Sequence, residues 1–143
     1  MKKLSAVSGQ RSAPEAIGLK DFRALQVWSK AHSLTLEIYR LAAQFPPDER
    51  YGLTSQLRRC SSSVPSNIAE GCGAGSDAEF ARFLQIAMRS ACELEYRLLL
   101  SRDLGLIDAR VHKSAETKTT EVKRMLASLL RKLEPGLQTY LDD

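Results

Sequence analysis

YGLTSQLRRCSSSVPSNIAEG, residues 51–71, is the stretch of this chain that decides its fold. One proline, Pro65, and five serines stand among apolar residues that keep helical spacing. These apolar residues are Leu53, Leu57, Cys60, Val64 and Ile68. Such a helix needs neighbours that cover its apolar side and bond its polar groups, because it is not stable alone. The stretch therefore predicts a packed helical bundle.

The composition fits one domain built mainly from helices. The 143 residues are enough for a hydrophobic core without disulfide or metal staples. Hydrophobic residues make up 43% and aromatics only 6%, which favours helices built on Leu and Ala. The formal charge of +4 is uneven, because residues 1–20 carry +3 and residues 21–143 carry +1. The N-terminal arm is basic and the body is nearly neutral.

Nothing in the chain predicts export, a membrane span or a metal site. Cys60, Cys72 and Cys92 are not closely paired, and no apolar leader segment follows the basic residues at positions 2 and 3. No run of about 20 apolar residues is present. We therefore expect a cytoplasmic protein with reduced thiols and with no cofactor, metal or membrane partner.

The spacing of apolar residues predicts two helices in the first half of the chain. The first covers about residues 22–44 and ends before Pro46. The second covers residues 53–69, with Gly71 as its stop. The expected core positions of the first helix are Val27, Ala31, Leu34, Ile38, Leu41 and Phe45.

Two more helices are expected in the second half. Ser76 and Glu79 form the sequence pattern of a capping box at the start of the third helix, which Gly105 closes. Asp108 caps the fourth helix, which runs to Pro135. The expected core positions of the third helix are Phe80, Leu84, Ala87, Ala91, Leu94 and Leu98. Those of the fourth are Val111, Ala115, Val122, Leu126, Leu129 and Leu133.

Short connections between helices of this length favour antiparallel neighbours. The prediction is an all-α fold, an antiparallel up-down-up-down four-helix bundle over residues 21–134. An irregular basic arm at 1–20 precedes it and a tail at 135–143 follows it.

Some apolar residues lie off the core stripes of the first and third helices. They are Trp28, Leu36, Tyr39, Ile86, Leu99 and Leu100. Their number predicts a second apolar surface, and we expect it to be used for self-association into a homo-oligomer. The alternative is a monomer with a broad core stripe.

Pro65 removes the amide that would bond the carbonyl of Ser61 and so predicts a kink. Asn67 and Glu70 follow at one-turn spacing and can reach a neighbouring helix. One interpretation is that the kink binds a ligand. The alternative, which we favour, is a structural kink whose serine hydroxyls bond one another and Arg89 or Arg97.

Candidate catalytic groups are not recognised. The GCGAGS turn, residues 71–76, resembles a phosphate loop but has no following Lys-Ser/Thr and no preceding strand, so a flexible turn is expected. His32 and His112 are not preceded by the glutamate of a Glu-x-x-His pair, and both are expected at the surface or its boundary. An enzyme is therefore not predicted.

The fourth helix carries the best candidate binding surface. Lys113, Arg124 and Arg131 form a basic line opposite its apolar stripe, with Lys123 and Lys132 beside it. Such a line can neutralise phosphates without reading sequence. The alternative is a solvated face that keeps the protein soluble. Further basic candidates are Arg58 and Arg59 on the second helix and Arg82 and Arg89 on the third, where Glu93 shares the face.

Five groups of residues between 22 and 133 resemble one known family. They are Phe22, Leu25-Gln26-Val27-Trp28 and Ala31; Phe45-Pro46, Glu49, Tyr51, Gly52 and Leu53; Gln56-Leu57-Arg58-Arg59; Asn67-Ile68-Ala69-Glu70-Gly71; and Phe83-Leu84, Ala87, Ser90 and Glu93. In combination they resemble the four-helix bundle family named for proteins encoded in 23S ribosomal RNA intervening sequences. The accessory variability proteins of diversity-generating retroelements are similar bundles.

The resemblance implies a small cytosolic bundle without enzymatic activity that assembles as a homopentameric ring. In the retroelement branch it implies binding of nucleic acid and of a reverse transcriptase, which would place Arg58, Arg59, Arg82 and Arg89 at the interface. This chain departs from that branch in its nearly neutral body. The leading expectation is an RNA or nucleoprotein binder, and the alternative is a protein scaffold with no nucleic-acid role that docks through residues 1–20. A small-molecule or enzymatic role ranks third.

Overall fold

The computed structural model describes residues 21–133, and within them every regular element is a helix. The four α-helices are α1 (Gln26–Ala42), α2 (Leu53–Cys72), α3 (Asp77–Asp103) and α4 (Ala109–Leu133). Short 3-10 helices, Phe22–Ala24 and Pro47–Glu49, precede α1 and α2. The arm predicted at 1–20 and the tail predicted at 135–143 lie outside the described residues. The all-α, four-helix prediction is confirmed.

Each helix packs against the next one along the chain, and α1 also packs against α4. The predicted core positions of α2 and α3 are all buried, and those of α1 are buried except for Leu41, which is half-buried against the core. The apolar stripes therefore meet in one shared core, which leaves the opposite faces of the helices to solvent or to partners.

The predicted core stripe of α4 is wrong at half of its positions. Val111 is 40% exposed, and Leu129 and Leu133 are only half-buried. The core positions observed on α4 are His112, Ala115, Thr119, Val122, Leu126 and Leu130. The prediction followed apolar side chains, whereas the helix buries one histidine and one threonine inside its stripe.

His112 was expected at the surface or its boundary, and this expectation is wrong. The side chain is 5% exposed, and its Nε2 is buried without a hydrogen-bond partner among the described residues. Thr119 satisfies its hydroxyl locally, since Oγ1 donates to the Ala115 carbonyl at 2.8 Å. His32, in contrast, is exposed as expected.

The predicted end of α3 and start of α4 are confirmed. Gly105 has a positive φ of 77°, and its amide donates to the Arg102 carbonyl at 2.9 Å. The Leu106 amide donates to the Ser101 carbonyl at 2.9 Å, so the two bonds complete a Schellman motif. Asp108 then caps α4, because its carboxylate accepts from the Val111 amide at 2.8 Å.

Only half of the predicted capping box forms at the start of α3. The Ser76 hydroxyl accepts from the Glu79 amide at 3.2 Å, as expected. The Glu79 carboxylate pairs with Arg82 instead of reaching back to Ser76. The positive charge of Arg82 one turn away attracts the carboxylate more strongly than a neutral amide does.

Gly71 does not stop α2, which continues to Cys72. An added Cβ at Gly71 would lie 2.6 Å from Cδ1 of Phe80 and 3.0 Å from Cβ of Phe83. The glycine is therefore a contact point between α2 and α3, and its lack of a side chain allows the two helices to approach.

Candidate nucleic-acid and partner surfaces

Pro65 lies inside α2, which is assigned as one helix from Leu53 to Cys72. The carbonyl of Ser61, which Pro65 cannot bond, accepts from Oγ1 of Thr35 on α1 at 2.8 Å. The same hydroxyl lies 2.9 Å from the Ala31 carbonyl of its own helix, so its one hydrogen is shared between two acceptors. Both Thr35 and Ser61 are buried. The expected repair by neighbouring serines is therefore wrong at this carbonyl, because a threonine from the adjacent helix supplies the donor.

The remaining polar groups of the motif bond to one another and to α3. The hydroxyls of Ser63 and Ser90 are 2.8 Å apart, and Nδ2 of Asn67 donates to the Ser63 carbonyl at 2.8 Å. Ser66 donates to the Glu70 carboxylate at 3.1 Å. This mutual bonding matches the structural interpretation of the motif.

Arg97, one of the two arginines expected to reach the serines, instead pairs with Glu93 at 3.1 Å. The Glu93 carboxylate also pairs with the guanidinium of Arg59 from α2, at 2.5 Å. One carboxylate thus holds two arginines along the seam between α2 and α3, and Glu93 faces α2. The positive charge of Arg59, a nucleic-acid candidate, is already partly neutralised here.

The basic line on α4 divides into two kinds of residue. Lys113, Arg124 and Lys132 are exposed and have no ion-pair partner within residues 21–133. Arg131 is half-buried and does interact with another part of the protein. Lys113 and Arg124 therefore carry the accessible charge of the predicted line.

Two further basic candidates are engaged by carboxylates. Lys123 donates to Glu95 on α3 at 2.8 Å, and this hydrogen bond raises the pKa of the lysine. Arg82 pairs with Glu79 on its own helix, and the hydrogen bond between them raises the pKa of the arginine and lowers that of the carboxylate. Arg89 is exposed. The third helix therefore offers less accessible charge than predicted.

Arg110 belongs to the α4 surface but was missed by the sequence analysis. It is exposed in the first turn, three residues before Lys113, and therefore shares its side of the helix. The sequence does indicate Arg110 as a member of this surface, because its spacing from Lys113 is helical, as is the spacing among the other cations. We call Arg110, Lys113 and Arg124, together with Thr117, Thr120 and Ser128 on the same side of the helix, the α4 basic face.

The apolar candidates on α1, which are Trp28, Leu36 and Tyr39, share one side of the helix, and we call them the aromatic band. The ring of Trp28 stacks on His32 at 4.9 Å and meets the edge of Phe22 at 4.9 Å. Further along α1, the guanidinium of Arg58 from α2 lies 5.3 Å from the centre of the Tyr39 ring. Tyr39, a predicted interface residue, and Arg58, a predicted nucleic-acid residue, are therefore in contact on one surface.

The exposed members of this band are Leu36 and Tyr39, each 43% exposed. Nε of Arg58 is buried and has no partner among the described residues. Trp, Tyr and Arg are the residue types that most often dominate the energy of protein interfaces. The band therefore has the chemistry of a protein-binding surface.

The candidates on α3 do not all share one surface. Ile86 is half-buried and lies one turn from Ser90, on the side of α3 that meets α2. Leu99 is 37% exposed, and Leu100 packs partly against the core. Three more apolar side chains are exposed and were not predicted to be, namely Tyr51, Tyr96 and Leu104.

A groove of about 210 Å³ between α1 and α4 is lined by Lys30, Ser33, Leu34, Glu37, Lys118 and Glu121. Its charges pair across the groove, Lys30 with Glu121 and Lys118 with Glu37. Residues 21–133 contain no cluster of three or more His, Cys, Asp or Glu side chains suited to a metal.

The three cysteines are free thiols in different environments. Burial raises the pKa of Cys60 and of Cys72 to about 11, which keeps both in the unreactive thiol form. Cys92 is exposed on α3. In the part of the chain that the structure describes, no helix is both long and apolar enough to span a bilayer.

Four packed helices with charged outer faces define the chain as an all-α four-helix protein. It belongs to the family described as 23S rRNA-intervening sequence protein, whose match covers residues 23–128. This confirms the family that the motifs indicated.

One solved structure is similar over most of this chain. It is a protein of unknown function from the S23 ribosomal protein family of Bacteroides thetaiotaomicron, with 27% identity and a TM-score of 0.67. The alignment covers 73% of this chain and 98% of that one. No curated protein matches the chain.

Proposed function

We propose that this protein is a non-enzymatic, cytoplasmic, ring-forming bundle, a homopentamer, that binds RNA or an RNA–protein partner through the α4 basic face. The observation that carries the proposal is the exposure of Lys113 and Arg124 without acidic partners among the described residues. Membership of a family named for 23S rRNA intervening sequences agrees with an RNA partner. A ring would present several such faces together, which strengthens weak individual contacts.

The proposal includes antiparallel neighbours, because cross-helix contacts run in opposite order along the paired helices. Lys30 of α1 meets Glu121 of α4, and Glu37, further along α1, meets the earlier Lys118. The same reversal relates α2 to α3. There Arg59 meets Glu93, and the later Ser63 meets the earlier Ser90. The contacts between α1 and α2 are reversed in the same way. Thr35 meets Ser61, and the later Tyr39 meets the earlier Arg58.

The test is binding of a stem–loop RNA by fluorescence anisotropy at about 50 and about 200 mM salt. Wild-type affinity should fall steeply with salt, because phosphate contacts release counterions. The variant Lys113→Glu/Arg124→Glu should bind at least about tenfold more weakly at low salt. Its salt slope should drop by about one for each lost contact.

A matched control reverses two other exposed arginines, Arg40→Glu/Arg50→Glu, and so makes the same change in net charge. This control should retain most of the RNA affinity, since its positions lie outside α4. Equal losses in both variants, or no RNA binding by the wild type at low salt, would refute the proposal.

The second candidate function is a protein scaffold, which the aromatic band on α1 and the adjacent Arg58 favour. In this case the ring binds a protein and the arm of residues 1–20 contributes to docking. Deleting the arm should then release a defined co-purifying protein while the oligomer stays intact. A partner that remains bound after the deletion, identified by mass spectrometry, would contradict this role of the arm.

A further inference from the structure

We infer that the α4 basic face binds double-stranded RNA by its sugar–phosphate backbone, without reading bases. The inference rests on the proposed function and names the class of RNA. Lys113 and Arg124 are eleven residues apart on one side of α4, which places them about 16 Å apart along the helix axis. A rigid double helix holds phosphates at such fixed separations on the two sides of a groove, whereas a single strand does not.

Short hydroxyl side chains occupy the surface between these cations. Thr117 is exposed, Thr120 is half-buried, and Ser128 is exposed one turn beyond Arg124. None of them extends as far as Lys or Arg, so the helix can approach a broad, shallow surface closely. The minor groove of double-stranded RNA is wide and shallow and displays ribose 2′-hydroxyls.

Thr117 gives a reason to expect RNA rather than DNA. Its Oγ1 already donates its hydrogen to the Lys113 carbonyl at 2.9 Å, so the oxygen can only accept from a ligand. A phosphate oxygen cannot donate, whereas a ribose 2′-hydroxyl can. Thr117 therefore fits a 2′-hydroxyl, and the cations on either side of it fit phosphates.

The same face lacks the residue types that bind single strands or read bases. Its members between Arg110 and Ser128 include no aromatic residue for stacking and no Asn or Gln for bidentate contact with adenine. The aromatic rings of α1 do not substitute, since Trp28 stacks on His32 and Tyr39 lies against Arg58. Two carboxylates lie at the edges of the face. Glu121 is held by Lys30, and Glu116, three residues after Lys113, is half-buried.

The experiment compares a duplex RNA of about 20 base pairs, each of its separate strands, a duplex of shuffled sequence and the matching DNA duplex, all by anisotropy at low salt. The full-length protein should bind both RNA duplexes equally. It should bind them about tenfold more tightly than either strand, because one strand lacks the second row of phosphates. The DNA duplex should bind more weakly than the RNA duplex.

The variant Thr117→Val isolates the ribose contact. Valine has the same shape and branching, so the helix should be preserved while the acceptor oxygen is lost. RNA affinity should fall to that of DNA, and DNA affinity should not change. Ser29→Ala removes an exposed hydroxyl from α1 and should change neither affinity.

Several results would overturn the inference while leaving RNA binding itself intact. They are a single strand that binds as tightly as the duplex, a marked preference for one sequence, and an unchanged RNA preference in Thr117→Val. No binding to any nucleic acid at low salt would overturn the inference together with the proposed function.

Discussion

Thr35 and Pro65 show how a single hydroxyl permits a proline inside a buried helix. The proline leaves the Ser61 carbonyl without its usual amide donor, in a position that water does not reach. The Thr35 hydroxyl on α1 supplies a donor at 2.8 Å, which it shares with the Ala31 carbonyl at 2.9 Å. An unsatisfied buried carbonyl costs about 1–3 kcal/mol, so this one contact is important for the stability of the fold.

We predict that Thr35→Val destabilises the protein by about 1–2 kcal/mol, because valine keeps the shape but removes the donor. In a Pro65→Ala background the restored amide of residue 65 can bond the Ser61 carbonyl, so Thr35→Val should cost much less there. Urea unfolding of the four proteins, followed by circular dichroism, measures this coupling. An equal cost in both backgrounds would show that Thr35 acts through something other than the Ser61 carbonyl.

At the scale of elements, the approach of α2 to α3 depends on Gly71. A methyl group added at Gly71 would contact the ring of Phe80, which is fully buried, and the Cβ of Phe83, which is close to the backbone. Neither residue can easily move away from it. The helices must then separate or the Phe80 ring must leave its preferred position. Both responses disturb the core along its α2–α3 side.

We predict that Gly71→Ala lowers the free energy of unfolding by about 1–2 kcal/mol, although alanine alone is the better helix former by about 1 kcal/mol. Gly75→Ala is the control, since an added Cβ there meets no atom within 4 Å. It should leave stability unchanged or slightly raised. Thermal unfolding of both variants decides the matter, and an unchanged or higher melting temperature for Gly71→Ala would contradict the close contact.

The sequence was sufficient for the four helices and for most of the core of α1, α2 and α3, because apolar residues there repeat without interruption. It was misleading on α4, where His112 and Thr119 are polar residues at core positions. It also could not show which cations are paired. The carboxylates that hold Arg59 and Lys123 come from another helix, and their proximity depends on the packing. Thr35 was missed for the same reason.

In the whole molecule, the candidate interface residues flank α2. The aromatic band of α1 meets one side of α2 through Tyr39 and Arg58, and Ile86 lies on the side of α3 that meets the other. Between them, α2 presents the short side chains of Ser55, Ser62, Ser66 and Ala69, with the Arg59–Glu93 ion pair beside them. A second copy of the chain can pack against the larger residues on both sides. The α4 basic face lies on a different helix from these residues.

If self-association uses this surface, two charges placed in it should dissociate the ring without unfolding the subunit. We predict that Leu36→Glu/Tyr39→Glu is a folded monomer, because each side chain is already 43% exposed in the single chain, whereas burial of two carboxylates in an interface is costly. The control Tyr51→Glu/Leu104→Glu makes the same replacements at residues that are 87% and 57% exposed and lie outside α1 and α2. Light scattering during size-exclusion chromatography gives the masses, and circular dichroism checks the helices. A wild type that is monomeric, or a first variant that keeps the wild-type mass, would show that these residues do not hold copies together.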